Sequence, residues 1–179
     1  MDPSIVVVMG VSGCGKSTVA ERLATRLGWQ FAEADSFHPT ANVAKMRSGT
    51  PLTDEDRGPW LEAIASWIGA IRSREQRAVV TCSALKRAYR QRLAGGHPDV
   101  RFVYLQGSYE LIASRLAMRR HDYMPPTLLR SQFDALEEPG ADEEPGPEEE
   151  PLVLSIEPPS DAIVAEIVAR LALEPATPS

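Results

Sequence analysis

The chain has 179 residues, 43% apolar and 25% charged, with a formal net charge of −6, the make-up of an ordinary globular protein of one domain. The charge is local: residues 137–150, EEPGADEEPGPEEE, hold eight acids and no base, and without them the net −6 becomes +2. A near-neutral remainder lacks the basic stripe of a nucleic-acid protein, and two cysteines, Cys14 and Cys82, give no disulfide framework, which points to a reducing, cytoplasmic setting.

Residues 4–9 (SIVVVM) form a continuous β-branched run, the pattern of a strand buried on both faces. Its apolar part is too short for a signal-peptide core or a membrane span. Over residues 17–27, Val19, Leu23 and Leu27 fall on one helix face, and Gly28 stops the helix. Residues 29–34 make a second strand. Residues 54–74 make a long amphipathic helix with Trp60, Ile64, Trp67, Ile68 and Ile71 on one stripe and Thr53 as N-cap. Residues 77–82 and 100–105 are further buried strands, each followed by a helix; the second helix is capped by Ser108 and carries Leu111, Ile112 and Leu116. A fifth strand at 152–156 and a last helix at 160–171 close the chain.

Five strand–helix alternations predict an α/β fold of three layers: a five-stranded parallel sheet with helices on both faces and right-handed crossovers. Ligands of such sheets sit at the carboxyl ends of the strands. Residues 137–151, rich in Pro, Gly and like charges, are expected to form a mobile acidic loop.

Gly10-Val11-Ser12-Gly13-Cys14-Gly15-Lys16-Ser17 fits G-x-x-x-x-G-K-[ST], between a strand and a helix. The glycines let N–H groups converge on phosphate oxygens, and the helix N-terminus adds positive potential. With Thr18, these residues are the expected ATP site; Lys16 reaches the β and γ phosphates and the Ser17 hydroxyl ligates Mg²⁺. Cys14 stands where the motif accepts any residue. A GTPase would need N-K-x-D, but the single asparagine, Asn42, begins NVAK, and no D-x-x-G occurs. The strands VVTCSAL and FVYLQG end in no acid, unlike those of hydrolytic ATPases.

The acids stand instead in EADSFHP, residues 33–39. Asp35 suits a general base for an acceptor alcohol, or alternatively a helix N-cap. Glu33, two residues back on the same strand face, suits Mg²⁺ held through water. His38 is either an acceptor-binding group or part of a surface turn before Pro39. Arg57 is misplaced for the dipole of its helix, so an anionic ligand is a fair reading, whereas Asp56 beside it complements that dipole. Lys86 and Arg90 would extend a row of cations toward an acceptor that is both an anion and a polyol. Arg115 and Arg119 are four apart on one helix face, followed by Arg120 and, beyond Met124-Pro125-Pro126, Arg130. This fits a small lid over about 119–130 that excludes water and brings arginines to the transferring phosphoryl group, with Arg115 and Arg119 on ATP, Arg119 also catalytic, and Arg120 on the acceptor. A bland surface helix shows the same spacing.

The stretches MGVSGCGKS, EADSFHP, NVAKMRSGTPLTDEDRGPWL, CSALKRAYR and SQFDALEEPGAD resemble the small P-loop gluconokinase family, related to shikimate and adenylate kinases. The resemblance implies one P-loop kinase domain over 1–179, acting on the small molecule D-gluconate with ATP and Mg²⁺ to give 6-phospho-D-gluconate and ADP. It also implies a homodimer. Shikimate kinases carry Asp-x-Asp after the second strand, where this chain begins with Glu33, and the acidic GPEEEP is longer than the family needs. Two rivals stand beside this reading: a kinase of another hydroxy acid such as shikimate, and a nucleotide-binding regulator without turnover.

Overall fold

The structure, a computed structural model, describes residues 2–119, 126–140 and 150–177. Strand β1 (Ile5–Met9) is followed by α1 (Lys16–Leu27), β2 (Gln30–Glu33), a 3-10 turn (Ala34–Phe37), α2 (Thr40–Arg47) and α3 (Asp54–Ser73). Then come β3 (Ala78–Thr81), α4 (Arg87–Ala94), β4 (Val100–Gln106), α5 (Tyr109–Ala117), α6 (Pro126–Ala135), β5 (Leu152–Ser155) and α7 (Ser160–Arg170). The five strands form one parallel sheet in the order β2-β3-β1-β4-β5, as the alternation predicts.

β1 is central, with Val8 in register with both Thr81 and Val103. Because side chains alternate across a strand, Val6 and Val8 join a core layer with Val19, Leu23 and Ile167, while Ile5, Val7 and Met9 join Trp60, Ile64 and Phe102 on the other face. Both faces are dry, which is why the strand reads as an unbroken apolar run. Each such fully buried side chain contributes roughly 1.5–3 kcal/mol relative to exposure.

The helix ends follow local chemistry. Gly28 takes φ 65 at the end of α1 and returns its N–H to Ala24 O and Thr25 O. Thr53 caps α3 in a two-way box: its hydroxyl accepts Asp56 N–H at 3.1 Å and Asp56 Oδ2 accepts Thr53 N–H at 2.9 Å. Asp56 therefore does more than complement the dipole. It also binds Lys45 Nζ of α2 at 2.8 and 3.0 Å, which with the Thr53 bond pulls its pKa down to about 2.

Several local expectations are corrected. α5 stops at Ala117, so Arg119 lies beyond it and shares no helix face with Arg115. Pro126 does not break a helix but opens α6, where its missing N–H is harmless. Asp35 sits on the 3-10 turn rather than on the strand that ends at Glu33. The acidic stretch is tied down at its start: Glu137 N–H donates to Leu85 O at 2.8 Å, and Glu138 accepts from Tyr104 and Gln106. No helix among the described residues is long and apolar enough to cross a membrane.

Candidate active site

The carboxyl ends of β1, β2 and β3 meet at one edge of the sheet. There the chain leaves Met9 through the glycine-rich loop into α1, which opens at Gly15 without a side-chain cap, leaving its first N–H groups for a ligand. At Gly13 (φ +83) a Cβ would stand 2.7 Å from Leu116 Cγ, so the loop runs too close to α5 for any side chain there. Lys16 arches over the loop, its Nζ donating to Gly10 O at 2.9 Å and Val11 O at 3.0 Å. Cys14 is buried beneath the loop. Burial pushes the Cys82 thiol up to about 12, so it is inert at neutral pH.

A cleft of about 760 Å³ opens on this loop, lined by Gly13, Gly15, Lys16, Ser17 and Thr18, by Glu33 and Asp35, and by Arg47 and Arg119. A pocket of about 90 Å³ adjoins it, lined by His38, Arg57, Trp60, Ser83 and Gln132. The two share Ser12, Lys16, Asp35, Met46 and Leu128 as a common wall. Ser17 and Glu33 offer hard oxygen donors in the cleft, a set that fits Mg²⁺ completed by phosphate and water. Among the described residues no group of three or more His, Cys, Asp or Glu could hold a metal unaided.

The pocket is built by α3. Trp60 is buried and its Nε1–H donates to Ala34 O at 2.7 Å, fixing the 3-10 turn that carries Asp35. The His38 ring stacks on Trp60, and its Nδ1 meets Asn42 Nδ2 at 3.2 Å. Since that amide nitrogen can only donate, the imidazole proton is on Nε2. Burial lowers the His38 pKa below 6.5; the Asp35 carboxylate opposes the shift and Arg57 reinforces it. Asp35 caps no helix: the 3-10 turn begins at Glu33 with no side-chain cap, and α2 begins at Pro39 with none.

The expected row of cations reduces to one. Arg57 lines the pocket, braced by Leu52 O at 2.7 Å and by the Tyr89 ring. Lys86 instead pairs with Asp54 at 2.9 Å and lies outside the lining. Arg90 is buried, donating to Ala84 O and Glu137 O at 2.8 Å each, so it buckles the chain after α6 to the sheet rather than facing an acceptor. Arg115 donates to Ile156 O at 2.9 Å, off the cleft lining, whereas Arg119 lines it. Arg120 and half of the expected lid, residues 120–125, lie outside the described residues.

Three site residues escaped the sequence reading: Asn42, Arg47 and Gln132. All lie within or next to stretches that carry the family resemblance. Arg47 and Asn42 sit on α2, a helix with no apolar stripe to announce it.

A family model described as an AAA domain matches residues 5–139. The chain is 51% identical over 142 residues to a gluconokinase of Gluconobacter oxydans (strain 621H), covering 79% of this chain and 80% of that one. It is 41% identical over 167 residues to the thermoresistant gluconokinase of Escherichia coli (strain K12), covering 93% of each. The crystal structure of a gluconokinase from Sinorhizobium meliloti 1021 superposes with a TM-score of 0.82 at 41% identity, over 95% of this chain and 92% of that one. A P-loop built into a five-stranded parallel sheet, and this degree of likeness over most of the length, place the chain in the gluconokinase family of P-loop kinases.

Proposed function

We propose that the chain transfers the γ-phosphoryl group of ATP to the 6-hydroxyl of D-gluconate, giving 6-phospho-D-gluconate and ADP and feeding gluconate catabolism. The observation that carries this reading is the common wall: Lys16 and Asp35 line both the phosphate-loop cleft and the adjoining pocket. A γ-phosphoryl group held by Lys16 then meets an acceptor hydroxyl beside Asp35.

In this reading the Asp35 carboxylate takes the hydroxyl proton as the oxygen attacks phosphorus. The new O–P bond forms while the bond from phosphorus to the β–γ bridging oxygen breaks, and that oxygen leaves with its electrons on ADP. Lys16 and Arg119 oppose the charge that shifts during transfer. Arg57 pairs with the gluconate carboxylate and His38 Nε2–H bonds an acceptor hydroxyl. Mg²⁺, held through Ser17 and Glu33, would neutralise the β and γ phosphates. The homodimer that the family resemblance implies and the cytoplasmic setting that the cysteine usage points to belong to this reading, and sedimentation equilibrium of the full chain checks the first.

The test is ADP release with Mg²⁺ and ATP across a panel of acceptors, with the product located by ³¹P NMR. Gluconate should give an ester at its 6-position, and shikimate little turnover. A nucleotide-binding regulator would bind ATP yet release no ADP with any acceptor.

A further inference from the structure

One contact at the common wall has no part in the roles assigned above. Gln132 of α6 reaches the phosphate loop: its Oε1 accepts Ser12 N–H at 2.7 Å and its Nε2 donates to Ser12 Oγ at 3.0 Å. The two bonds fix the carboxamide orientation, because only oxygen can accept from the amide. Ser12 lines both cleft and pocket, and Gln132 lines the pocket beside Asp35 and His38.

Holding α6 to the protein does not need this contact. Leu128 and Leu129 are buried and Phe133 packs against the same core layer. The end of the helix is buckled separately, by Arg90 on Glu137 O and by Glu137 N–H on Leu85 O. What Gln132 adds is a polar clamp on the loop at the boundary where phosphoryl group and acceptor meet.

We propose that Gln132 is a positioning residue that, through Ser12, sets the shoulder of the phosphate loop so that the phosphoryl group passes to the acceptor hydroxyl and not to water. This deepens the phosphoryl-transfer reading and rests on it. A shift of the loop of about 1 Å is enough to lower transfer roughly 10²-fold, and a loosened boundary admits water in line with phosphorus.

The experiment measures ADP released and 6-phosphogluconate formed, in parallel, for the parental enzyme, Gln132→Ala, Ser12→Ala and Phe133→Leu, with melting temperatures for each. Gln132→Ala should lose roughly 10²-fold in kcat with little change in KM for ATP, and should release ADP in excess of phosphorylated product. Ser12→Ala keeps the amide bond and should fall between. Adding it to Gln132→Ala should cost little more, since both remove one contact. Phe133→Leu loosens α6 without touching the clamp, and should lower the melting temperature while ADP and product stay equal. A folded Gln132→Ala enzyme with parental kcat and equal ADP and product overturns the inference. So does uncoupling of the same size in Phe133→Leu. A parental enzyme that yields no phosphorylated gluconate overturns the underlying reading instead.

Discussion

His38 lies flat on Trp60, ring centroids 4.3 Å apart and planes 9° from parallel. The same indole donates its N–H to Ala34 O at 2.7 Å, next to Asp35. One buried side chain of α3 therefore holds both the proposed base and the proposed acceptor-binding imidazole. Trp60→Phe keeps a ring under His38 but removes the indole N–H that the Ala34 carbonyl accepts. The lost bond should destabilise the protein by about 0.5–1.5 kcal/mol, read as a lower urea midpoint. Turnover of gluconate should also fall, because the turn carrying Asp35 loosens.

His38 also predicts a pH dependence. Its pKa is lowered in the folded state, first by burial, from an ordinary value of 6.5. Below 6.5 the unfolded chain takes up a proton that the folded protein refuses, so stability is full above that pH and falls as pH drops toward the folded value. His38→Phe keeps the stacking and removes the titration. Urea midpoints of the two proteins should therefore converge, or cross, on acidification from pH 7.5 through about 6.5. Parallel curves would place the charged imidazole in the folded protein.

Arg119 and Arg47 both line the cleft, and neither has a side-chain partner among the described residues. A guanidinium that lines the phosphate-loop cleft without an ion-pair partner among the described residues suits anion stabilisation. Arg119→Ala should lower kcat roughly 10²–10³-fold, the effect of removing one donor from a developing charge. Arg47→Ala should act mainly on KM for ATP. Steady-state kinetics with ATP and gluconate varied in turn separates the two effects.

Much of this was legible in the sequence, for local reasons. The dry strand β1, the Gly28 stop and the Thr53 cap are written in neighbouring residues, and the structure has each of them. The phosphate loop is a contiguous motif. α2 was not legible, because TANVAKMR buries only Asn42 and shows no apolar stripe. α6 was hidden by Pro126, which is compatible with the first helical position but looks like a break. The charges of Lys86 and Arg90 are plain in the sequence, but their partners are not: Asp54 lies 32 residues from Lys86, and Glu137 47 from Arg90. Gln132 and Ser12 stand 120 apart. Side chains neutralised or clamped over such distances cannot be told by local pattern from those left free for a ligand.

The central claim, that Asp35 takes the proton from the attacking hydroxyl, is tested most directly by the kcat of Asp35→Asn with saturating ATP and gluconate. The amide keeps the shape of the carboxylate, and among the described residues the Asp35 side chain caps no helix, so no cap is lost. The phosphate loop is untouched, so binding of ATP should hardly change. The account predicts that kcat falls by roughly 10²–10⁴-fold, the range for loss of a positioned general base. An Asp35→Asn enzyme that turns over gluconate at the parental kcat would contradict it.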